Sequence, residues 1–189
     1  MIENFTLHPL DNPVYVRANL ATYEQDGIPK DWEVVEAYDS VAILIWHRDR
    51  DAFVLVKQFR PAVYLNNRDG MTVELCAGLV DKEALSLEEI AREEILEECG
   101  YDVPLETIER VTAFHTSVGF AGSRQTLYYA KVTEAMRVGE GGGIDQEQIE
   151  VIELPTAEAE AFIYDESVAK TPGLMFAFLW WKENREHHA

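Results

Sequence analysis

A chain of 189 residues that is 47% apolar and 11% aromatic is long enough to bury one substantial core and too apolar to be disordered. Its 16 Lys and Arg against 35 Asp and Glu leave a net charge of −19. That charge repels nucleic acid and anionic membrane surfaces, and any anionic ligand needs a local source of positive charge, for which a divalent cation is the natural candidate. No apolar run approaches the roughly 18 residues of a membrane span; the most apolar stretch is Gly173–Trp181. The N-terminus shows no basic start followed by an apolar block, so no secretory signal is expected.

In chain order, Val14–Tyr23 reads as a strand, Asp26-Gly27 with Pro29 as a turn, and Trp32–Ala37 as a second strand. Val41–Trp46 and Phe53–Val56 are short buried-strand runs flanking a polar turn. Met71–Cys76, Val111–Phe114, Gln125–Val132 and Ile149–Leu154 complete the strands; Leu87–Cys99, Thr156–Tyr164 and Thr171–Asn184 carry helical patterns. Strands and helices without regular alternation predict an α/β (α+β) layered fold with a mixed sheet. Cys76 and Cys99 are too few for a disulfide framework or a zinc quartet and are expected as buried thiols of a cytoplasmic protein. The aromatic block Phe176–Trp181 is expected in core or dimer packing, and His187 and His188 carry no functional reading.

The chemistry concentrates in one helix. Ser86 and Glu89 form a capping box, so the helix starts at Leu87, and Gly100 ends it. At about 100° per residue, Leu87, Ile90, Ala91, Glu94, Glu97 and Glu98 share an arc of about 120°. The stripe that is apolar in the first turns therefore becomes carboxylate in the last ones. Like charges at this spacing repel by roughly 0.2–0.5 kcal/mol per pair. Acids in a last turn also oppose the helix dipole, by about 0.3–1 kcal/mol each. A bound Mg²⁺ or Mn²⁺ would relieve both; a solvated acidic face is the alternative.

The stretch from Gly78 to Tyr101, ending in Glu94-Ile95-Leu96-Glu97-Glu98-Cys99-Gly100-Tyr101, resembles the Nudix box. Gly78 and Gly100 stand 22 apart, one more than in the family pattern, so the loop carries an inserted residue. Leu85 falls where the pattern has its first Glu and Glu93 where it has Arg, with Arg92 one position early. The inserted residue, with the segments at 39–45, 55–64, 72–81, 119–129 and 141–155, is similar to the UDP-glucose pyrophosphatase branch, near the ADP-ribose pyrophosphatases. The resemblance implies a Nudix α/β/α sandwich over residues 41–189, with an N-terminal β extension over 1–40 that packs on it and helps to form a homodimer.

By the same resemblance Glu94 and Glu98 ligate Mg²⁺ (or Mn²⁺) together with the Ala77 carbonyl and Glu97. Glu147 is the general base or a further ligand, with Asp145 second and a base on the helix third. The glycines at 139 and 141–143 suggest a mobile loop that closes over a site. Arg60 suits the substrate phosphates or a structural salt bridge. Gly119, Gly122 and Arg124 suggest a phosphate- or sugar-facing loop, and Trp32 or Tyr23 either stacks on a nucleobase across a dimer interface or packs. The implied activity is hydrolysis of the diphosphate bridge of a nucleoside diphosphate sugar, UDP-glucose giving UMP and glucose 1-phosphate. The alternatives are ADP-ribose hydrolysis, giving AMP and ribose 5-phosphate, and a non-catalytic nucleotide sensor.

Overall fold

Strands buried on both faces need apolar residues at every position, and the runs after residue 40 have them. The computed structural model describes residues 2–144 and 147–188, the last four by backbone alone. The strands are β1 (Val16–Gln25), β2 (Ile28–Ala37), β3 (Ser40–His47), β4 (Ala52–Phe59), β5 (Met71–Glu74), β6 (Cys76–Leu79), β7 (Glu109–His115), β8 (Arg124–Val132), β9 (Ile149–Pro155) and β10 (Ala169–Lys170). The helices are α1 (Pro61–Asn67), α2 (Leu87–Cys99), α3 (Ala159–Tyr164) and α4 (Pro172–His188).

Eight strands form one mixed sheet in the order β10-β5-β4-β3-β8-β7, with β6 also paired to β3 and β9 to β4. The β3–β8 and β5–β10 pairs are parallel; the others are antiparallel. Alternation along β3 and β4 serves two cores. Val41, Ile43, Ile45, Val54 and Val56 pack with Ile90 and Ile95 of α2. Ala42, Leu44, Trp46, Phe53 and Leu55 pack with Leu174, Phe178 and Trp181 of α4. The sheet thus lies between α2 and the α3–α4 layer, as an α/β/α sandwich. Full burial of Ile90 and Ile95, worth roughly 1.5–3 kcal/mol each, fixes the rotation of α2 about its axis.

Several boundaries differ from the sequence reading. The single strand expected over 71–76 is two, because the chain leaves β4 after Glu74 and joins β3 at Cys76. Pro29 lies inside β2, and the turn is Asp26-Gly27 alone, both residues left-handed (φ 55° and 76°) as a tight hairpin requires. The short helix α1 was not expected; its signal is Pro61 at the first helical position. The aromatic block divides: Phe178 and Trp181 pack on Phe53, while Phe176 and Leu179 face outward. Cys76 and Cys99 are buried free thiols, as expected.

β1 and β2 form a separate two-stranded sheet. The hairpin touches the rest of the chain where Val35 N–H donates to Phe120 O and Trp32 Nε1 donates to Gly119 O, both at 2.7 Å. It leaves Leu20 at 61% and Trp32 at 57% exposure, with Tyr23 and Ile28 also outward. Among the described residues no helix is long and apolar enough to cross a membrane.

Candidate active site

Helix α2 positions the acids through its two ends. At its N-terminus Ser86 Oγ accepts from Glu89 N–H (3.2 Å) and the Glu89 carboxylate accepts from Ser86 N–H (2.8 Å). At its C-terminus Gly100, at φ 77°, turns the chain away. Between them the arc that buries Ile90 continues into Glu94, Glu97 and Glu98, which line a cleft of about 820 Å³. Ala77 and Gly78 of β6 form the facing wall, and Arg60, Glu74, Gln125 and Glu147 also border the cleft.

Glu98 is only 4% exposed. One carboxylate oxygen accepts from Ala77 N–H at 2.9 Å. Burial pushes its carboxyl up to about 8, against that hydrogen bond and with the charge of Glu94 adding to the rise. Glu94 is pushed up to about 7, chiefly by burial and then by the charge of Glu97, with Lys82 opposing. Gly78 leaves room for the Glu94 carboxylate, since a Cβ there would lie 1.9 Å from Glu94 Oε1 and push it aside. Among the described residues no three acid, histidine or cysteine side chains already surround a common point. Ala77 meets Glu98 through its amide N–H. Still, the donor set fits a hard divalent cation: hard oxygens, like-charged and partly desolvated, whose charged forms only a cation would stabilise.

The glycine segment shows a use for its glycines that the sequence reading did not name: they allow the backbone to dock on the end of α2. Gly142 N–H donates to Glu98 O (2.8 Å) and Gly143 N–H to Glu97 O (3.0 Å), while Val138 and Gly139 N–H donate to Gly100 O. Carbonyls that a helix end leaves without partners are thereby satisfied. Gly141, at φ 72°, would place a Cβ 2.2 Å from Glu98 O, so no other residue fits there. The segment then carries Glu147 to the cleft, its carboxylate accepting from Ile144 N–H at 3.0 Å. Asp145 lies outside the described residues.

Arg60 forms the salt bridge that one of its two readings expected. It lines the cleft, and its guanidinium forks onto Glu74 through two 2.8 Å bonds. Glu74 is nearly buried and also accepts from the Thr72 hydroxyl at 2.5 Å. Removing Arg60 would leave that charge with the Thr72 hydroxyl as its one described hydrogen-bond donor, which is destabilising. Arg92 turns away from the cleft, donating to Val103 O and to Asp102. The cation beside the acids is instead Lys82, bonded to Glu93 at 2.5 Å.

Trp32, Gly119 and Arg124 do not line this cleft. Trp32 and Gly119 are bonded to each other, and the Arg124 amide donates to Asp39. Gln125, one residue on, does line it, with its amide donating to Ser40 Oγ at 3.1 Å. Sequence reasoning missed Tyr15, Ser40, Gln58, Glu74, Lys82 and Gln125, which border the cleft through tertiary placement. Only Glu74 carried a signal, as a charge inside an otherwise apolar strand run.

No family model matches the chain. It is 41% identical over 194 residues to the uridine diphosphate glucose pyrophosphatase NUDT14 of Mus musculus, across 88% of this chain and 87% of that protein. It is 41% identical over 186 residues to the protein of the same name in Bos taurus, across 84% of each. The chain belongs to the Nudix hydrolases. A third member, a GDP-mannose pyrophosphatase of Cronobacter sakazakii, is 41% identical over 138 residues, across 69% of this chain and 70% of its own. As a Nudix hydrolase this protein is an enzyme of a family that generally needs a divalent metal, in keeping with the donors at the end of α2.

Proposed function

We propose that this Nudix hydrolase splits the diphosphate bridge of a nucleoside diphosphate sugar, with UDP-glucose preferred, giving UMP and glucose 1-phosphate. The observation that carries the reading is the pair Glu94 and Glu98, the first half-buried and the second buried, both with raised pKa at the end of α2 in a cleft that also holds Arg60. The NUDT14 relatives, which align over most of both chains, carry the preference for UDP-glucose.

Glu94, Glu97 and Glu98 would hold the divalent ion, Mg²⁺ or Mn²⁺, with Ala77 beside them. When bound, such an ion neutralises diphosphate charge and acidifies a water. Glu147 takes a proton from the attacking water, with Asp145 as the second candidate and Glu97 as the third. As the water oxygen bonds to one phosphorus, that phosphorus loses its bond to the bridging oxygen, which leaves on the other phosphate. Arg60, already fixed by Glu74, offers its outer face to phosphate oxygens.

The exposed apolar residues of the β1–β2 hairpin, Ile28 and Trp32 on one face and Leu20 on the other, support a homodimer in which a second copy covers part of the hairpin. The same pairing brings Trp32, Gly119 and Arg124 toward the partner's cleft, with residues 1–40 as the extension and 41–189 as the hydrolase domain. The unpaired buried thiols favour a reducing compartment such as the cytoplasm. A hydrolysis panel of UDP-glucose, GDP-mannose and ADP-ribose under one metal concentration tests the substrate assignment. The highest kcat/KM is expected with UDP-glucose; a higher value with ADP-ribose would replace it.

A further inference from the structure

Among the described residues six carboxylates but only two cations, Arg60 and Lys82, line the cleft. A diphosphate entering it meets a wall of like charge, so each cation matters, and the two are held differently. Arg60 is forked onto nearly buried Glu74 and cannot leave without stranding a charge. Lys82 is held by one contact to Glu93, and each side chain of that pair is 41% exposed. Exposed single-contact pairs of this kind add little stability and break readily.

Lys82 stands in the loop between β6 and α2, and the charges of Glu97 and Glu94 act on its ammonium as well as that of Glu93. Glu93 does not line the cleft. It therefore holds the ammonium at the rim. A lysine offers three donors on a flexible stem, which suits a phosphate oxygen whose position is not fixed in advance. We propose that Lys82 is a substrate-binding residue that leaves Glu93 to contact the diphosphate. This inference rests on the cleft being a diphosphate site, and it adds a specific contact to that reading.

The test uses the full-length protein with three variants: Lys82→Met, Lys82→Arg and Glu93→Gln. The readouts are steady-state kinetics on UDP-glucose, calorimetric binding of its non-hydrolysable methylene-bridged analogue with Mn²⁺ present, and Mn²⁺ affinity alone. Lys82→Met is expected to raise KM and the analogue Kd about tenfold with kcat kept within about threefold, the pattern of lost ground-state binding. Its Mn²⁺ affinity should be unchanged or tighter, because a nearby positive charge is gone. Lys82→Arg should recover most of the loss. Glu93→Gln should stay within about threefold of wild type, since it breaks the same salt bridge without removing the ammonium.

The proposal is overturned if Lys82→Met leaves KM and Kd within about twofold, if Glu93→Gln reproduces its defect, or if Lys82→Met weakens Mn²⁺ binding, which would make Lys82 a support for the acids. Wild type that binds the analogue without hydrolysing UDP-glucose would remove the enzyme reading and leave this contact standing. Wild type that neither binds nor hydrolyses would remove both.

Discussion

Glu98→Gln separates what the carboxylate does for folding from what it does for catalysis. Unfolded, the carboxyl titrates near 4.5; folded, burial moves it to about 8. A raised acid pKa means that the folded state binds more protons between those values, so stability falls as pH rises through that window. With 2.5 pH units between the unfolded value and pH 7, at about 1.4 kcal/mol per unit, holding Glu98 folded without metal at pH 7 costs about 3 kcal/mol. The same linkage leaves only about 1 kcal/mol at pH 5. The glutamine has no charge to desolvate, and its amide oxygen can still accept from Ala77 N–H, which Glu98 does at 2.9 Å. In EDTA the variant should therefore be the more stable protein at pH 7, with the advantage shrinking as pH falls to 5. Urea denaturation at several pH values measures this, and turnover on UDP-glucose should fall at least ~10²-fold in the same variant. A variant that is less stable than wild type at pH 7, or a difference that does not vary with pH, would refute the reasoning.

Three further outcomes follow from the geometry. Glu147→Gln should cut turnover by ~10²-fold with metal and substrate still bound, whereas a spectator acid would change it less than about threefold; single-turnover kinetics distinguishes them. Gly141→Ala should destabilise by roughly 1–3 kcal/mol and lower Tm by several degrees, because its Cβ would lie 2.2 Å from Glu98 O, while Gly119→Ala, with nothing within 4 Å, should leave Tm nearly unchanged. Light scattering should give twice the 21.5 kDa monomer mass, and Leu20→Glu on the exposed hairpin should restore the monomer; wild type that is monomeric at micromolar concentration would count against the dimer.

What could be read from the chain beforehand was whatever repeats with a short period. The α2 boundaries matched because a capping box and Gly100 mark both ends, and its angular pattern put Glu94, Glu97 and Glu98 on the cleft side. The two-faced burial of β3 was legible in its unbroken apolar run. The pairing of neighbours was not. Nothing local says that the chain changes partner strand at Leu75, or that this puts Glu74 opposite Arg60. The docking of the glycines at 141–143 was not legible, because freedom and close approach leave the same letters in a sequence; the contact of Gly141 with the end of α2 shows only in the structure. Lys82 was invisible for a related reason: its pairing with Glu93 crosses from a loop to a helix.

The central claim is that the acids at the end of α2 serve metal-dependent cleavage of a nucleotide sugar at its diphosphate bridge. The most direct measurement is product identification by chromatography and phosphorus NMR after incubating the protein with UDP-glucose and Mg²⁺, with and without excess EDTA. UMP and glucose 1-phosphate in equal amounts, formed with Mg²⁺ and absent with EDTA, is the predicted result. UDP with free glucose, full activity in EDTA, or intact UDP-glucose under both conditions would contradict it.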